Sequence, residues 1–179
     1  MTDLPLVMVR DDLQDIPCAS FPHGFRLRTW KPCDEGLWLD VQRDAERVFE
    51  VQDDLFEQEF GHDRRSAEER VFFIVNERNV AVGTLSSWLP HEEFDASYGR
   101  VHWVAVRPSH QGLGLAKAAI SEALMRMRQW HSRSYLLTSS SRLAALKLYT
   151  DFGFRPDLRP EGATDSWQLV RQSLPQISL

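Results

Sequence analysis

Arg100–Ile120 reads RVHWVAVRPSHQGLGLAKAAI. Its first seven residues, RVHWVAV, are rich in β-branched and aromatic types and read as a strand. Pro108 closes that strand. Leu113, Ala116, Ile120, Leu124 and Met127 then share one face of a helix running from Gly114 to about Trp130. Between the two lies a short turn with Gly112 and Gly114. The start of a helix leaves backbone N–H groups without intrahelical partners and carries the positive end of the dipole. Together these bind phosphate. Gly112, Gly114 and Ala116 lack bulk, so a pyrophosphate can lie against the backbone, and Gln111 adds a side-chain donor.

Two common phosphate motifs are excluded. A dinucleotide turn needs GxGxxG, but Lys117 stands at the third glycine position. It also needs an acid at the end of the next strand, and Ser134–Ser140 (SYLLTSS) has none. The GxxxxGK[ST] loop is absent.

Outward from this segment, strands and helices mix. Phe25–Trp30 alternates apolar with basic residues, as a half-buried strand does. Asp34 caps an amphipathic helix to about Val51, with Leu37, Trp38, Val41, Ala45, Val48 and Phe49 on its apolar face. Leu55, Phe56 and Phe60 mark a shorter helix before Gly61. Val71–Val75 and Val80–Trp88 are strands about an Asn-Glu-Arg-Asn turn, and Gly83 marks a bulge or a close backbone approach. Leu143–Phe152 is a helix ended by Gly153. Phe154–Leu158 and Ser166–Arg171 are expected closing strands. The order is α/β (α+β), with a run of antiparallel strands before the helix at Gly114. Residues 1–24, broken by Pro5, Pro17 and Pro22, read as an N-terminal extension, and residues 25–179 as the domain.

The chain has 179 residues, about one domain on length alone, with ordinary globular usage of 42% apolar and 26% charged residues. A net charge of −5 argues against nucleic acid, whose phosphates need clustered bases. The charge is uneven. Asp34–Asp63 holds eleven acids against Arg43 and Arg47. Two cysteines, Cys18 and Cys33, make neither a disulfide framework nor a CxxC pair, and the six histidines show no i, i+4 pair, so no metal is expected. No apolar run approaches a membrane span. Leu4–Val9 is ended by Arg10, Asp11 and Asp12, too soon for a signal peptide. A cytoplasmic setting without membrane contact is the expectation.

Val106-Arg-Pro108…Gln111-Gly-Leu-Gly114-Leu-Ala116 resembles the acetyl-CoA signature of the GCN5-related N-acetyltransferases (GNAT), V-x-P-x-x-[QR]-x-x-G-x-[GA]. Downstream, Ala145, Leu148, Tyr149, Gly153 and Phe154 resemble that family's A-x-x-L-Y-x-x-x-G-F segment. The resemblance implies a central, mixed but mostly antiparallel twisted sheet of six to seven strands, flanked by helices and splayed at the acetyl-CoA site. It implies that backbone amides of Gln111, Gly112, Leu113, Gly114, Leu115 and Ala116 hold the pyrophosphate. It further implies that Val104, Ala105 and Val106 pair with the pantetheine arm beside a bulge. Tyr149 is then the general acid for the leaving thiolate, since a phenol near 10 outlasts a thiol near 8.5. Many members carry Asn where this chain has Arg142, preceded by Ser139–Ser141, so Arg142 or a serine takes that cofactor contact or it is missing.

Direct transfer to an amine needs a base. His102 is the basic-group candidate on its strand, sharing a face with Arg100, Val104 and Val106 if side chains alternate. Glu92 and Glu93 are second choices. No cysteine lies in the motifs, which disfavours an acyl-enzyme. The resemblance places the acidic stretch on the acceptor wall, which points to a cationic primary amine, a small metabolite, a peptide amino group or an aminoglycoside-like polyamine. Dimers are common in the family, so a homodimer is allowed. The rival readings are an acyl-CoA sensor or assembly module without turnover, and a purely structural domain.

Overall fold

The structure is a computed structural model describing residues 3–178. Its strands are β1 (Pro5–Arg10), β2 (Phe25–Thr29), β3 (Val71–Asn76), β4 (Ala81–Trp88), β5 (Tyr98–Val106), β6 (Arg133–Ser139) and β7 (Arg155–Pro156). Its helices are α1 (Glu35–Ala45), α2 (Leu55–Phe60), α3 (Arg64–Arg70), α4 (Leu115–Met127), α5 (Leu143–Asp151) and α6 (Ala163–Ser173). The strand order is β2-β3-β4-β5-β6-β1-β7. The chain forms two compact units, and β5 and α4 each contribute residues to both.

The first unit comprises Cys18–Trp88 and Val101–Ala123. β2, β3 and β4 pair antiparallel in sequence order. Phe72, Ile74, Val82 and Leu85 pack with Leu115, Ala119 and Ala123 of α4, all essentially inaccessible to water. Alanines at 119 and 123 let the helix backbone approach the sheet closely. A second apolar group is aromatic. Trp30 stacks on Phe56 at 5.4 Å, Trp38 meets Phe56 and Phe60 edge-on, and Phe60 meets Trp88 at 4.8 Å. Such edge-on pairs add to plain area burial. α1 stops at Ala45, short of the expected Val51, and Val48 and Phe49 lie exposed in the following loop. α3 is a helix that periodicity did not reveal. The Asp63 carboxylate caps it by accepting from the Ser66 amide at 2.9 Å and hydroxyl at 2.7 Å. Those bonds hold the carboxyl below its ordinary range.

The second unit comprises the chain up to Pro17, Leu89–Arg100 and the chain from Leu124. Pro5–Arg10, within the expected extension, form β1, antiparallel to both β6 and β7. Its alternation is hidden because Met8, Val9 and Arg10 are all buried. β5 pairs with β6 in parallel over Tyr98–Arg100 and Arg133–Tyr135. Phe94 stacks on Tyr135 at 3.7 Å. The buried Arg10 guanidinium donates to the carbonyl of Phe152, just past α5, and to that of Gln14, in the loop after β1. The expected strand at Ser166–Arg171 is instead part of α6. Trp167 and Val170 are its buried residues, three apart as one helix face requires, and left-handed Gly162 precedes it.

Candidate active site

The turn before α4 is built by two backbone reversals. Gly112 and Gly114 have φ +78° and +76°, a region other residues enter at a cost. A Cβ at either would meet nothing within 4 Å. Backbone conformation therefore demands glycine here, whereas the sequence suggested lack of bulk. The Gly114 carbonyl accepts from the Ala118 amide, so Gly114 caps the helix and the first α4 amides have no intrahelical acceptor. Leu113 is half exposed. Gln111 is exposed, and its side-chain amide donates to the Val106 carbonyl at 3.0 Å, bracing the turn. The turn is tied to β4 as well: the Arg107 amide donates to Val82 O at 2.8 Å, and its guanidinium to Ala81 O. The Gln111 amide is spent on the Pro108 carbonyl at 3.3 Å, but the acidic group of a CoA fits the rest of the arrangement, because the amides that open α4 have no intrahelical acceptor and both glycines are open.

β5 is broken at Trp103, whose φ is +50°. This bulge corrects one expectation. Val104 and Val106 pack on the core under α4, with Phe72 and Leu115, whereas His102 reaches Glu59 and Phe60 of α2. His102 and Val104 thus do not share a face; one left-handed residue reverses the alternation. Two polar side chains hold the bulge. Thr84 donates its hydroxyl to the Trp103 carbonyl at 3.0 Å, and Gln42 of α1 donates to Thr84 Oγ1 at 2.7 Å. The β3–β4 pairing also shifts register, between Ile74 and Val75 of β3.

His102 is nearly buried, and its Nε2 lies 2.7 Å from Glu59 Oε2. Its ring neighbours are Phe60 at 6.0 Å and Trp103 at 5.5 Å. Glu92 and Glu93, the second choices, are exposed in the 89–97 loop of the other unit.

Sequence reasoning missed Glu59, Gln42, Thr84 and Trp103. Gln42 left a trace: it stands beside Val41 on the apolar face of an amphipathic helix. A buried polar residue there implies a buried partner.

The acidic stretch is less negative in space than along the chain. Arg28 pairs with Asp34 at 2.7 Å, Arg64 with Glu35 and Glu57, Arg43 with Asp40 and Asp53, and Arg107 with Asp44 at 3.0 Å. Arg28, Arg64 and Arg107 come from outside the stretch, so counting along the chain overstated its field.

In the second unit, Tyr149 lies on α5 and is nearly buried. Burial pushes its phenol up to about 12, partly opposed by the nearby positive charge of Arg142. Arg142 precedes the helix, with its carbonyl accepting from the Leu146 amide. The serines before it are engaged: Ser140 Oγ accepts from the Leu4 amide, and Asp3 accepts from the Ser141 amide. The Ser141 amide, with the hydroxyls of Ser139, Ser141 and Ser140, holds the Asp3 carboxyl below its ordinary range. Among the described residues no group of three or more His, Cys, Asp or Glu side chains is placed to hold a metal, and no helix is long and apolar enough to cross a membrane.

The sequence model of the Acetyltransferase (GNAT) family matches residues 27–154, and the chain belongs to that family. Among solved structures it resembles a GCN5-related N-acetyltransferase from Sphaerobacter thermophilus, at TM-score 0.70 and 23% identity over 87% of this chain and 48% of that one. An acetyltransferase from the GNAT family of Colwellia psychrerythraea matches at TM-score 0.66 and 13% identity, over 87% and 54%. A GCN5-related N-acetyltransferase from Kribbella flavida matches at 0.58 and 16%, over 87% and 56%. The chain spans about half the length of these proteins. No curated protein matches it significantly.

Proposed function

We propose that the protein transfers an acetyl group from acetyl-CoA to a primary amine by direct attack in a ternary complex. The observation that carries this is the turn Gln111–Ala116, with its two left-handed glycines leading into α4, in a chain of the GNAT family. Acetyl-CoA supplies the activated thioester. Backbone amides of residues 112–116 hold its pyrophosphate, and the β5 segment Val104–Val106, released from regular pleating by the bulge at Trp103, offers its backbone to the pantetheine arm. His102 takes the proton of the attacking amine, which contributes about 10²–10⁴-fold. Tyr149 holds a proton for the leaving thiolate; its burial keeps the phenol neutral far above physiological pH. Arg142 helps bind the cofactor's acidic portion.

A cationic amine is the proposed acceptor. Glu59, beside His102 and part exposed, supports this better than the acidic stretch as a whole. The test is release of CoA thiol across a panel of amines and anionic acceptors. Amine-dependent release is expected. Anionic acceptors outpacing every amine would overturn the acceptor class. Acetyl-CoA binding without release on any acceptor would favour a sensor.

A further inference from the structure

We propose that Glu59 is the positioning residue for His102, holding the imidazole in the form that can act as a base. The inference rests on His102 being that base. α2 has six residues, and its Phe56 and Phe60 are anchored among Trp30, Trp38 and Trp88. That anchoring fixes Glu59, one residue before Phe60, against β5. The neighbouring Glu57 is turned aside to Arg64, leaving Glu59 as the α2 carboxylate bonded to the ring. His102 cannot swing freely, because Phe60 and Trp103 flank it and the bulge pins its strand through Thr84 and Ser86.

A carboxylate accepts hydrogen bonds and cannot donate them, so the 2.7 Å contact requires the proton on Nε2. In the neutral ring Nδ1 is then the basic atom. In the step, an N–H bond of the acceptor ammonium breaks and an Nδ1–H bond forms, directly or through one water. Nε2–H stays donated to Glu59, and the carboxylate offsets the charge of the imidazolium. The freed amine lone pair forms the bond to the acyl carbon, the thioester C–S bond breaks with its electron pair leaving on sulfur, and the nitrogen's second proton makes good the one the departing thiolate takes up. The same tie makes two changes at Glu59 separable: loss of the hydrogen bond and loss of the charge.

The test is a double-mutant cycle of Glu59→Leu and His102→Asn, with two-bond ¹H–¹⁵N NMR of His102. Wild type should show the neutral ring protonated at Nε2, and Glu59→Leu should mix the tautomers. Glu59→Leu should lower kcat about 10–100-fold with the acetyl-CoA KM unchanged, and Glu59→Gln, which keeps an acceptor oxygen, should lose less. On a His102→Asn background, Glu59→Leu should cost less than about twofold more, because it acts through the ring. Losses that multiply in full would overturn the proposal and make Glu59 an acceptor contact. Wild-type kcat and an unchanged tautomer in Glu59→Leu would also overturn it. If His102→Asn keeps wild-type kcat, the base assignment itself falls, an outcome distinct from a silent Glu59 in a protein that needs His102.

Discussion

A Cβ built on Gly83 would lie 2.6 Å from the carbonyl oxygen of Ala105. β4 and β5 therefore approach more closely at this point than any side chain on Gly83 permits. Ala105 is one of the residues proposed to border the pantetheine arm, so the contact couples the glycine to the placement of that strand. Ile74 Cδ1, at 2.8 Å, is a flexible end that can move; a backbone carbonyl within a ladder cannot. Gly83→Ala should destabilise the protein by about 1–3 kcal/mol. Urea unfolding measures this, and a wild-type midpoint would show that β5 yields freely. The acetyl-CoA KM should rise in the same variant.

The phosphate turn separates conformation from charge. Gly114→Asn keeps a residue type that tolerates the left-handed region. Gly114→Asp adds a negative charge where phosphate is proposed to sit. Calorimetry with CoA should show modest weakening for Asn and loss of binding for Asp. Equal binding by the Asp variant and wild type would remove the turn from cofactor recognition.

Tyr149→Phe preserves the ring packed 6.1 Å from Phe154 and deletes the hydroxyl. If Tyr149 protonates the thiolate, kcat should fall by about 10²-fold or more with CoA affinity nearly unchanged. An unchanged kcat would leave Tyr149 as a core aromatic on α5.

The same residue makes an alkaline stability prediction. The folded phenol titrates at about 12, the unfolded one near 10. Below pH 10 both states hold the proton and stability is unaffected. Above it the unfolded chain loses the proton first, so stability falls as pH rises from about 10 to 12. The loss attributable to Tyr149 is of order 2–3 kcal/mol. Tyr149→Phe should lose less stability than wild type over that range, measured by denaturant midpoints. Parallel curves would show that the phenol gains no protection from burial. Tyr135, also raised by burial, contributes equally to both proteins and cancels in the difference.

The local chemistry of the segment 100–120 was legible from residue order. A strand, a glycine turn and an amphipathic helix follow from neighbours a few positions apart, whereas the positive φ of Gly112 and Gly114 came from the structure. The helix holding Tyr149, ended by Gly153, is of the same kind. α6 was misread because six residues, Ser166–Arg171, carry too few turns to separate a period of 3.6 from one of 2, and its deciding pair, Trp167 and Val170, fits a helix face.

What the residue order did not hold was pairing at a distance. The placement of β1 beside β6 joins Pro5 to Ser139, and no local pattern encodes that partnership. The bulge at Trp103 is held by Thr84 and Gln42, so the reversal that separates His102 from Val104 is decided by a hydroxyl and an amide far away in the chain. Glu59 looked like one acid among eleven until α2 packed its phenylalanines and turned the carboxylate to His102. Residue order alone determined the strand–turn–helix chemistry, because it is written in local conformation and periodicity. The His102–Glu59 contact, the bulge and the cancelled charges were decided by tertiary packing, because they depend on which distant side chains are brought to within hydrogen-bonding range.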